Sequence, residues 1–143
     1  KCNLKILQYI DTYDKNDKKY QNTKNYVAEI AISHDYNYVY LSNRGVDTIA
    51  IYQINPVNGK LKYISEISVY GKTPRHFVIT PDNKYIISAN QDSNNLIIFE
   101  RNIKTGLLKL HKKYDTKEFA KSIPNFTFNA PNYILCDPNP LTL

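Results

Sequence analysis

The chain of 143 residues contains no methionine and no tryptophan, only four glycines and only two cysteines. Cys2 and Cys136 lie at opposite ends of the chain, a spacing that matches neither a disulfide framework nor a zinc site. No apolar run approaches the roughly 18 residues that a membrane-spanning helix requires. These absences argue against collagens, disulfide-stapled domains and membrane proteins, and we expect reduced thiols in a cytoplasmic protein.

The absence of methionine extends to position 1, which is Lys1. Because translation normally begins with methionine, we expect the chain to be a processed product or a part of a longer protein. The first five residues, Lys-Cys-Asn-Leu-Lys, also lack the apolar segment of a signal peptide.

Tyrosine is abundant, with 13 residues, and the apolar stretches are rich in Ile, Val and Thr. Aromatic and β-branched residues favour strands, and no segment has a sustained helical period. The composition therefore predicts an all-β protein.

The net charge is +6, from 19 Lys and Arg against 13 Asp and Glu. Such an excess is compatible with nucleic acid or with a small anion. Much of it lies in irregular segments such as 14–19, and no RNA-binding motif is present. We therefore expect a solvated basic surface, with neither nucleic acid nor membrane as a partner.

A repeat of 47 residues dominates the sequence. Segment 32–43 aligns without a gap with segment 79–90, and two of the four glycines, Gly59 and Gly106, fall at equivalent positions. Self-similarity at a period of about 40–50 residues is typical of β-propeller blades.

Each unit contains four predicted strands. They are 29–33, 38–42, 48–54 and 61–69 in the first unit and 76–80, 85–89, 95–101 and 107–114 in the second. Asp35 and Asp82 occupy equivalent tight turns, where an Asp side chain bonds to nearby backbone. Asn43 and Asn90 are interpreted in the same way, as turn residues that bond to local backbone.

The units predict two complete blades, about 28–70 and 75–114. Leu4–Ile10 and Pro131–Cys136 are predicted to be strands of adjoining blades. One blade cannot bury both faces of its sheet, so blades occur in closed rings, and we expect the missing blades in the rest of the protein. A seven-bladed ring would need roughly 330 residues, of which this chain is expected to be the C-terminal part.

Four segments on this repeat form a recognisable series. They read Tyr-Val-Ala-Glu-Ile-Ala-Ile-Ser at 26–33, Val-Tyr-Leu-Ser-Asn-Arg-Gly at 39–45, Gly-Lys-Thr-Pro-Arg-His-Phe at 71–77 and Ser-Ala-Asn-Gln-Asp-Ser-Asn-Asn at 88–95. Their order and spacing resemble the lactonase family of seven-bladed β-propellers.

This resemblance implies an anionic lactone substrate, no metal and no organic cofactor. The family includes 6-phosphogluconolactonases, which hydrolyse the lactone of the oxidative pentose phosphate pathway. It also includes fungal 3-carboxymuconate lactonizing enzymes, which close a lactone ring. A lactone hydrolase of the first kind is the leading hypothesis, with a muconate-type cycloisomerase and a non-catalytic binding or scaffold module as alternatives.

The repeat also predicts a site without reference to the family. In an up-and-down blade, the start of the first strand and the turn after the second strand share one rim. Several polar residues are therefore expected on one face of the ring. They are Glu29, Arg44, Lys72, Arg75, His76 and Gln91.

Those residue types suit the opening of a charged lactone. Glu29 or His76 would deprotonate a water, and Arg75 would stabilise the oxyanion. Arg44, Lys72 and Gln91 are the expected substrate-binding residues, since cationic side chains hold carboxylate or phosphate by charge-assisted hydrogen bonds.

Each residue also has a plainer interpretation. Glu29 and Arg44 would form an ion pair between two strands of one blade, Arg75 would be a surface charge, and His76 would be a packed strand residue. A structure in which Glu29, Arg44 and Arg75 point apart would favour the binding module.

Overall fold

The computed structural model describes residues 5–121 together with Pro131 and Ile134. It contains two four-stranded antiparallel meanders, here called sheet 1 and sheet 2. Sheet 1 consists of β1 (Tyr26–Ile32), β2 (Tyr38–Arg44), β3 (Thr48–Ile54) and β4 (Leu61–Ser68). Sheet 2 consists of β5 (Pro74–Ile79), β6 (Tyr85–Asn90), β7 (Asn95–Arg101) and β8 (Leu108–Asp115). The predicted all-β class is confirmed.

Helical structure in the described part of the chain is limited to two short elements. Lys18–Tyr20 forms one turn of 3₁₀ helix, and α1 spans Thr116–Lys121. Neither is long enough to cross a membrane, and no helix among the described residues meets that requirement.

The hairpin turns follow the expected glycine chemistry. Gly59 and Gly106 have φ values of 68° and 72°, in the left-handed region that glycine adopts without steric cost. The amides of Gly59 and Gly106 donate to the carbonyls of Asn55 and Asn102, each over 2.8 Å. Equivalent residues therefore build equivalent turns, 47 positions apart.

The strand predicted over Leu4–Ile10 is wrong for Lys5–Ile10, which are irregular, while Leu4 lies outside the described residues. A strand needs a neighbouring backbone with which to pair, and the described chain supplies none to this segment. Instead the Gln8 side chain bonds to the Leu61 backbone, donating from Nε2 to the carbonyl and accepting from the amide, each over 2.8 Å.

The strand predicted over Pro131–Cys136 falls mostly outside the described residues. Pro131 and Ile134, which are described, belong to no strand.

The main core lies between the two sheets. Buried side chains from both sheets meet there: Tyr38, Tyr40, Ile49 and Ile51 from sheet 1, and Phe77, Ile86, Ile97 and Phe99 from sheet 2. Fully burying an aliphatic or aromatic side chain of this size contributes about 2 kcal/mol. Packing face to face places β1 next to β5.

The opposite face of sheet 1 carries a smaller cluster around Leu41 and Tyr52. The chain that precedes β1 crosses this face, since the Tyr52 hydroxyl donates to the carbonyl of Asp11 over 2.8 Å. A segment that forms no strand therefore still covers one face of the sheet.

A buried arginine joins the two sheets. The Arg101 side chain has no exposed surface, and its Nη2 lies 2.9 Å from Asp35 Oδ2. Its Nε donates to the Tyr40 hydroxyl over 2.7 Å, and its Nη1 donates to the Asn83 carbonyl over 3.1 Å. The equivalent residue in the first unit is Ile54, so the repeat gives no indication of this contact.

Asp35 is a turn former, as predicted, and also the partner of this arginine. Its Oδ1 accepts from the Ser33 hydroxyl and the Asn37 amide. Burial alone raises the pKa of the Asp35 carboxyl, but the hydrogen bonds from Ser33 and Arg101 and the Arg101 charge outweigh burial and lower that pKa from 3.8 to about 2.

Replacing Asp35 by Asn is expected to lower the free energy of unfolding by about 2 kcal/mol at pH 7, from the size of that pKa shift. Because the folded-state pKa is depressed, the contribution is present above about pH 4 and is lost as the pH falls towards 2. Asp82→Asn removes the equivalent but exposed carboxylate and is expected to lower the free energy of unfolding by a smaller amount. Urea unfolding at pH 7, 4 and 2.5 tests this, and equal losses in the two variants would contradict it.

Candidate functional site

Two β-bulges place the predicted site residues. In β1, Val27 pairs with Asn43 and Ile30 with Leu41. The two residues between them, Ala28 and Glu29, therefore oppose a single residue of β2. A bulge breaks the alternation of faces and re-aims side chains. The sequence pattern therefore indicated a strand that begins at Glu29, whereas β1 begins at Tyr26.

The bulge in β5 lies at the equivalent position. Pro74 pairs with Asn90 and His76 with Ala89, which leaves Arg75 as the extra residue. Both bulges thus fall near the start of the first strand of their sheet, and both present charged side chains.

Glu29 and His76 meet across the two sheets, as their equivalence in the repeat predicts. Glu29 Oε2 lies 3.2 Å from His76 Nε2, and both side chains are partly buried. His76 Nδ1 accepts from the Ile134 amide over 3.1 Å. Because Nδ1 accepts this hydrogen bond, the proton of the neutral imidazole lies on Nε2. The Nε2–H group points towards the Glu29 carboxylate.

The within-blade ion pair between Glu29 and Arg44 does not occur among the described residues. Glu29 pairs instead with His76 on the neighbouring sheet, because the bulge turns its side chain out of the ladder with β2. The Glu29 amide remains attached to that strand through the Ser42 hydroxyl oxygen, 3.0 Å away.

Arg75 and Gln91 form a second pair on the same rim. Arg75 Nη1 donates to Gln91 Oε1 over 3.0 Å, at an exposed position. The guanidinium has five N–H donors, so a single amide oxygen leaves it capacity to bind an anion. Arg75 is adjacent in sequence to His76, which links this pair to the first.

Arg44 and Lys72 contact neither pair. Arg44 is half-buried at the end of β2, and its Nε is buried without a hydrogen-bond acceptor in the described part of the chain. The Lys72 side chain is exposed, and its backbone amide donates to Ser93 Oγ over 2.8 Å. The six predicted residues therefore form two pairs and two separate cations.

None of these six residues lines the cavity of about 410 Å³ that is formed in part by Lys19, Tyr20 and Glu66. The Tyr20 hydroxyl donates to the Glu66 carboxylate. Burial and this hydrogen bond raise the pKa of Tyr20 to about 12. Nothing in the sequence pattern pointed to this contact, because the two residues are 46 positions apart.

Asn43 and Asn90 are structural, but their predicted local bonding is wrong. Asn43 Nδ2 donates to the Thr12 carbonyl over 2.6 Å, and Asn90 Nδ2 donates to the Val69 carbonyl over 2.9 Å. Both side chains are fully buried. Each one anchors the segment of chain that leads into its own sheet.

The side chains that commonly bind metals are dispersed. No group of three or more His, Cys, Asp or Glu residues able to hold a metal ion is found within residues 5–121, Pro131 and Ile134.

Residues 1–121 match the family described as Lactonase, 7-bladed beta-propeller. The chain belongs to this family. The resemblance inferred from the sequence motifs is thereby confirmed, and the two sheets are blades of a lactonase propeller.

Two relatives carry the name 6-phosphogluconolactonase. The protein of Formosa agariphila is 38% identical over 129 residues, which cover 89% of this chain and 35% of the relative. The protein of Bacillus subtilis is 37% identical over 83 residues, which cover 58% of this chain and 24% of the relative. The chain thus spans about a third or less of the length of these relatives.

A solved structure of a protein from Lactobacillus plantarum has the same fold. It superimposes with a TM-score of 0.67 at 31% identity, over 73% of this chain and 29% of that protein.

The geometry at His76 predicts a single tautomer. We expect neutral His76 to carry its proton on Nε2, because Nδ1 accepts the Ile134 amide. Imidazole ¹⁵N NMR above the titration range of histidine measures this, with the exposed His34 and His111 as internal controls. Ile134→Pro removes the donating amide and is expected to change the His76 signals, whereas the control Ile134→Ala keeps that amide. An Nδ1–H tautomer in the unmodified chain would contradict the assignment.

Proposed function

We propose that the protein containing these residues hydrolyses an anionic sugar lactone, with 6-phosphogluconolactone as the expected substrate. The observation that carries the proposal is the Glu29–His76 pair, formed across two blades with Arg75 beside it. Membership of the lactonase family and the names of the two relatives support the same activity. A cytoplasmic role in the oxidative pentose phosphate pathway is part of this proposal.

Glu29 is the preferred general base. His76 engages Glu29 through Nε2 and Ile134 through Nδ1, so its role is to orient the carboxylate rather than to accept a proton. Glu29 takes a proton from a water as the water oxygen attacks the lactone carbonyl carbon. A positioned carboxylate of this kind typically contributes 10²- to 10⁴-fold in rate.

In this proposal, Arg75 stabilises the negative charge that develops on the carbonyl oxygen. Its guanidinium is exposed and held at one edge by Gln91, which limits its rotation. When the tetrahedral intermediate collapses, the ring C–O bond breaks and the proton held by Glu29 passes to the leaving oxygen. The product is the open-chain hydroxy acid, with the carboxyl proton released to solvent.

Arg44 is the candidate for binding the phosphate of the substrate. Its buried Nε lacks an acceptor among the described residues, and an anion would supply one. Lys72 contributes a positive charge at the exposed rim.

A binding module remains the alternative from another functional class. The observation that favours it is the separation of Arg44 and Lys72 from the Glu29–His76 pair. A lactonizing cycloisomerase would use the same carboxylate and cation in the direction of ring closure, and only substrate profiling separates it from hydrolysis.

Glu29→Gln and Arg75→Ala are expected to impair hydrolysis of 6-phosphogluconolactone by the complete product of the gene. Loss of the base is expected to lower kcat about 10²-fold or more. Loss of one charge-assisted contact is expected to lower kcat/KM about 10- to 100-fold. Acid release at constant pH measures the rate.

Glu100→Gln and Lys60→Ala, which alter exposed residues elsewhere on the blades, serve as matched controls. Rates like those of the unmodified enzyme in both site variants would reject the site assignment. Absence of hydrolysis in the unmodified enzyme, with closure of a muconate instead, would favour the cycloisomerase.

A further inference from the structure

The connection between the two sheets, Val69–Thr73, is held along its whole length. Its backbone is bonded to polar side chains around the β6–β7 turn: Asn90 donates to the Val69 carbonyl over 2.9 Å, Asn95 donates to the Tyr70 carbonyl over 3.1 Å, and Ser93 Oγ accepts from the Lys72 amide over 2.8 Å. A Cβ on Gly71 would lie only 2.5 Å from Asn90 and Ser93 side-chain atoms. The linker is thus closely fitted to sheet 2.

The last residue of this linker has an unfavourable backbone. Thr73 has a φ of 58°, in the left-handed region that β-branched residues rarely adopt. It also precedes Pro74, and a following proline disfavours helical backbone conformations. Such a conformation persists only where the surroundings over-determine it, and it is found most often at functional sites.

Three hydrogen bonds hold Thr73 in this conformation. Its amide donates to Asp47 Oδ1 over 2.9 Å, and its hydroxyl donates to Asp92 Oδ2 over 2.5 Å. Its carbonyl accepts from the Gln91 amide over 3.0 Å. Asp47 belongs to the β2–β3 turn of sheet 1, whereas Asp92 and Gln91 belong to the β6–β7 turn of sheet 2, so one residue joins the rim turns of both sheets.

The first unit has no counterpart. The equivalent residue, Tyr26, lies within the ladder of β1 opposite Arg44. This arrangement is therefore specific to the junction at which the two candidate pairs meet.

We propose that Thr73 is a positioning residue for Arg75. Thr73 fixes the backbone immediately before β5, which begins at Pro74, and it lies two residues before Arg75. It also holds the backbone of Gln91, whose side chain binds the Arg75 guanidinium. The effect on catalysis rests on the proposed function, whereas the physical arrangement does not.

Thr73→Val and Thr73→Ser test the role of the hydroxyl in the complete gene product. Valine keeps the branched shape and loses the bond to Asp92, while serine keeps the hydroxyl. We expect Thr73→Val to lower kcat/KM for 6-phosphogluconolactone about 10- to 100-fold, since small displacements of positioned groups have effects of this size. For Thr73→Ser, kcat/KM is expected to stay within about threefold of the value for the unmodified enzyme. The same is expected of the control Thr105→Val, which alters an exposed turn.

A double-mutant cycle separates positioning from a general loss of stability. If Thr73 acts through Arg75, the effect of Thr73→Val should largely disappear in an Arg75→Ala background. An unchanged effect in that background, a failure of serine to restore activity, or activity of Thr73→Val equal to that of the unmodified enzyme would each overturn the proposal.

Amide hydrogen exchange tests the arrangement without any substrate. We expect the Thr73 and Gln91 amides to exchange faster in Thr73→Val than in Thr73→Ser, with distant amides unchanged. Equal exchange in the two variants would overturn the proposal even in an active lactonase. Absence of lactone hydrolysis combined with the expected exchange difference would reject the proposed function and retain the role of Thr73 in the structure.

Discussion

Each sheet of this protein has two apolar faces, and the rest of the structure depends on how those faces are covered. One face of sheet 1 packs against sheet 2 and buries Tyr40 and Phe99 completely. The other face is crossed by the chain that precedes β1, with Asp11 bonded to Tyr52. Because a β-sheet must bury its apolar face against another layer, the sheets stack, and stacking brings β1 beside β5.

Hydrophobic burial is non-directional, so it does not by itself select one alignment of the sheets. The directional contacts come from buried polar groups. Arg101 reaches from the end of β7 to Asp35 and Tyr40 of sheet 1, and the low local dielectric strengthens such bonds. At the opposite rim, Thr73 joins the turns of both sheets. The Glu29–His76 pair is formed between these two groups of contacts.

The two pairs of the candidate site arise where the two units differ within a shared backbone. The bulges of β1 and β5 are equivalent, but one presents Glu29 and the other presents Arg75 and His76. A symmetric repeat thereby places a carboxylate opposite an imidazole, with a guanidinium beside them. Arg44 and Gln91 are likewise equivalent in position and different in charge.

The sequence by itself determined the fold class, the period of 47 residues and the bounds of β3 and β7. These features depend on residues close together in sequence. One is the alternation of side chains along a strand, and another is the positive φ of turn residues such as Gly59 and Gly106. It also determined that Glu29 and His76 would lie at the same height, because equivalent positions in stacked units are neighbours.

Only the tertiary structure decided which polar side chains meet. Arg101 and Asp35 are 66 positions apart, and the sequence around neither residue indicates a contact with the other. The sequence pattern also did not predict the true start of β1, the irregular path of Lys5–Ile10 or the positive φ of Thr73. The physical reason is common to all of them: a bulge, an edge or a strained residue is stabilised by partners distant in sequence, and those partners come into place only when the two sheets have packed.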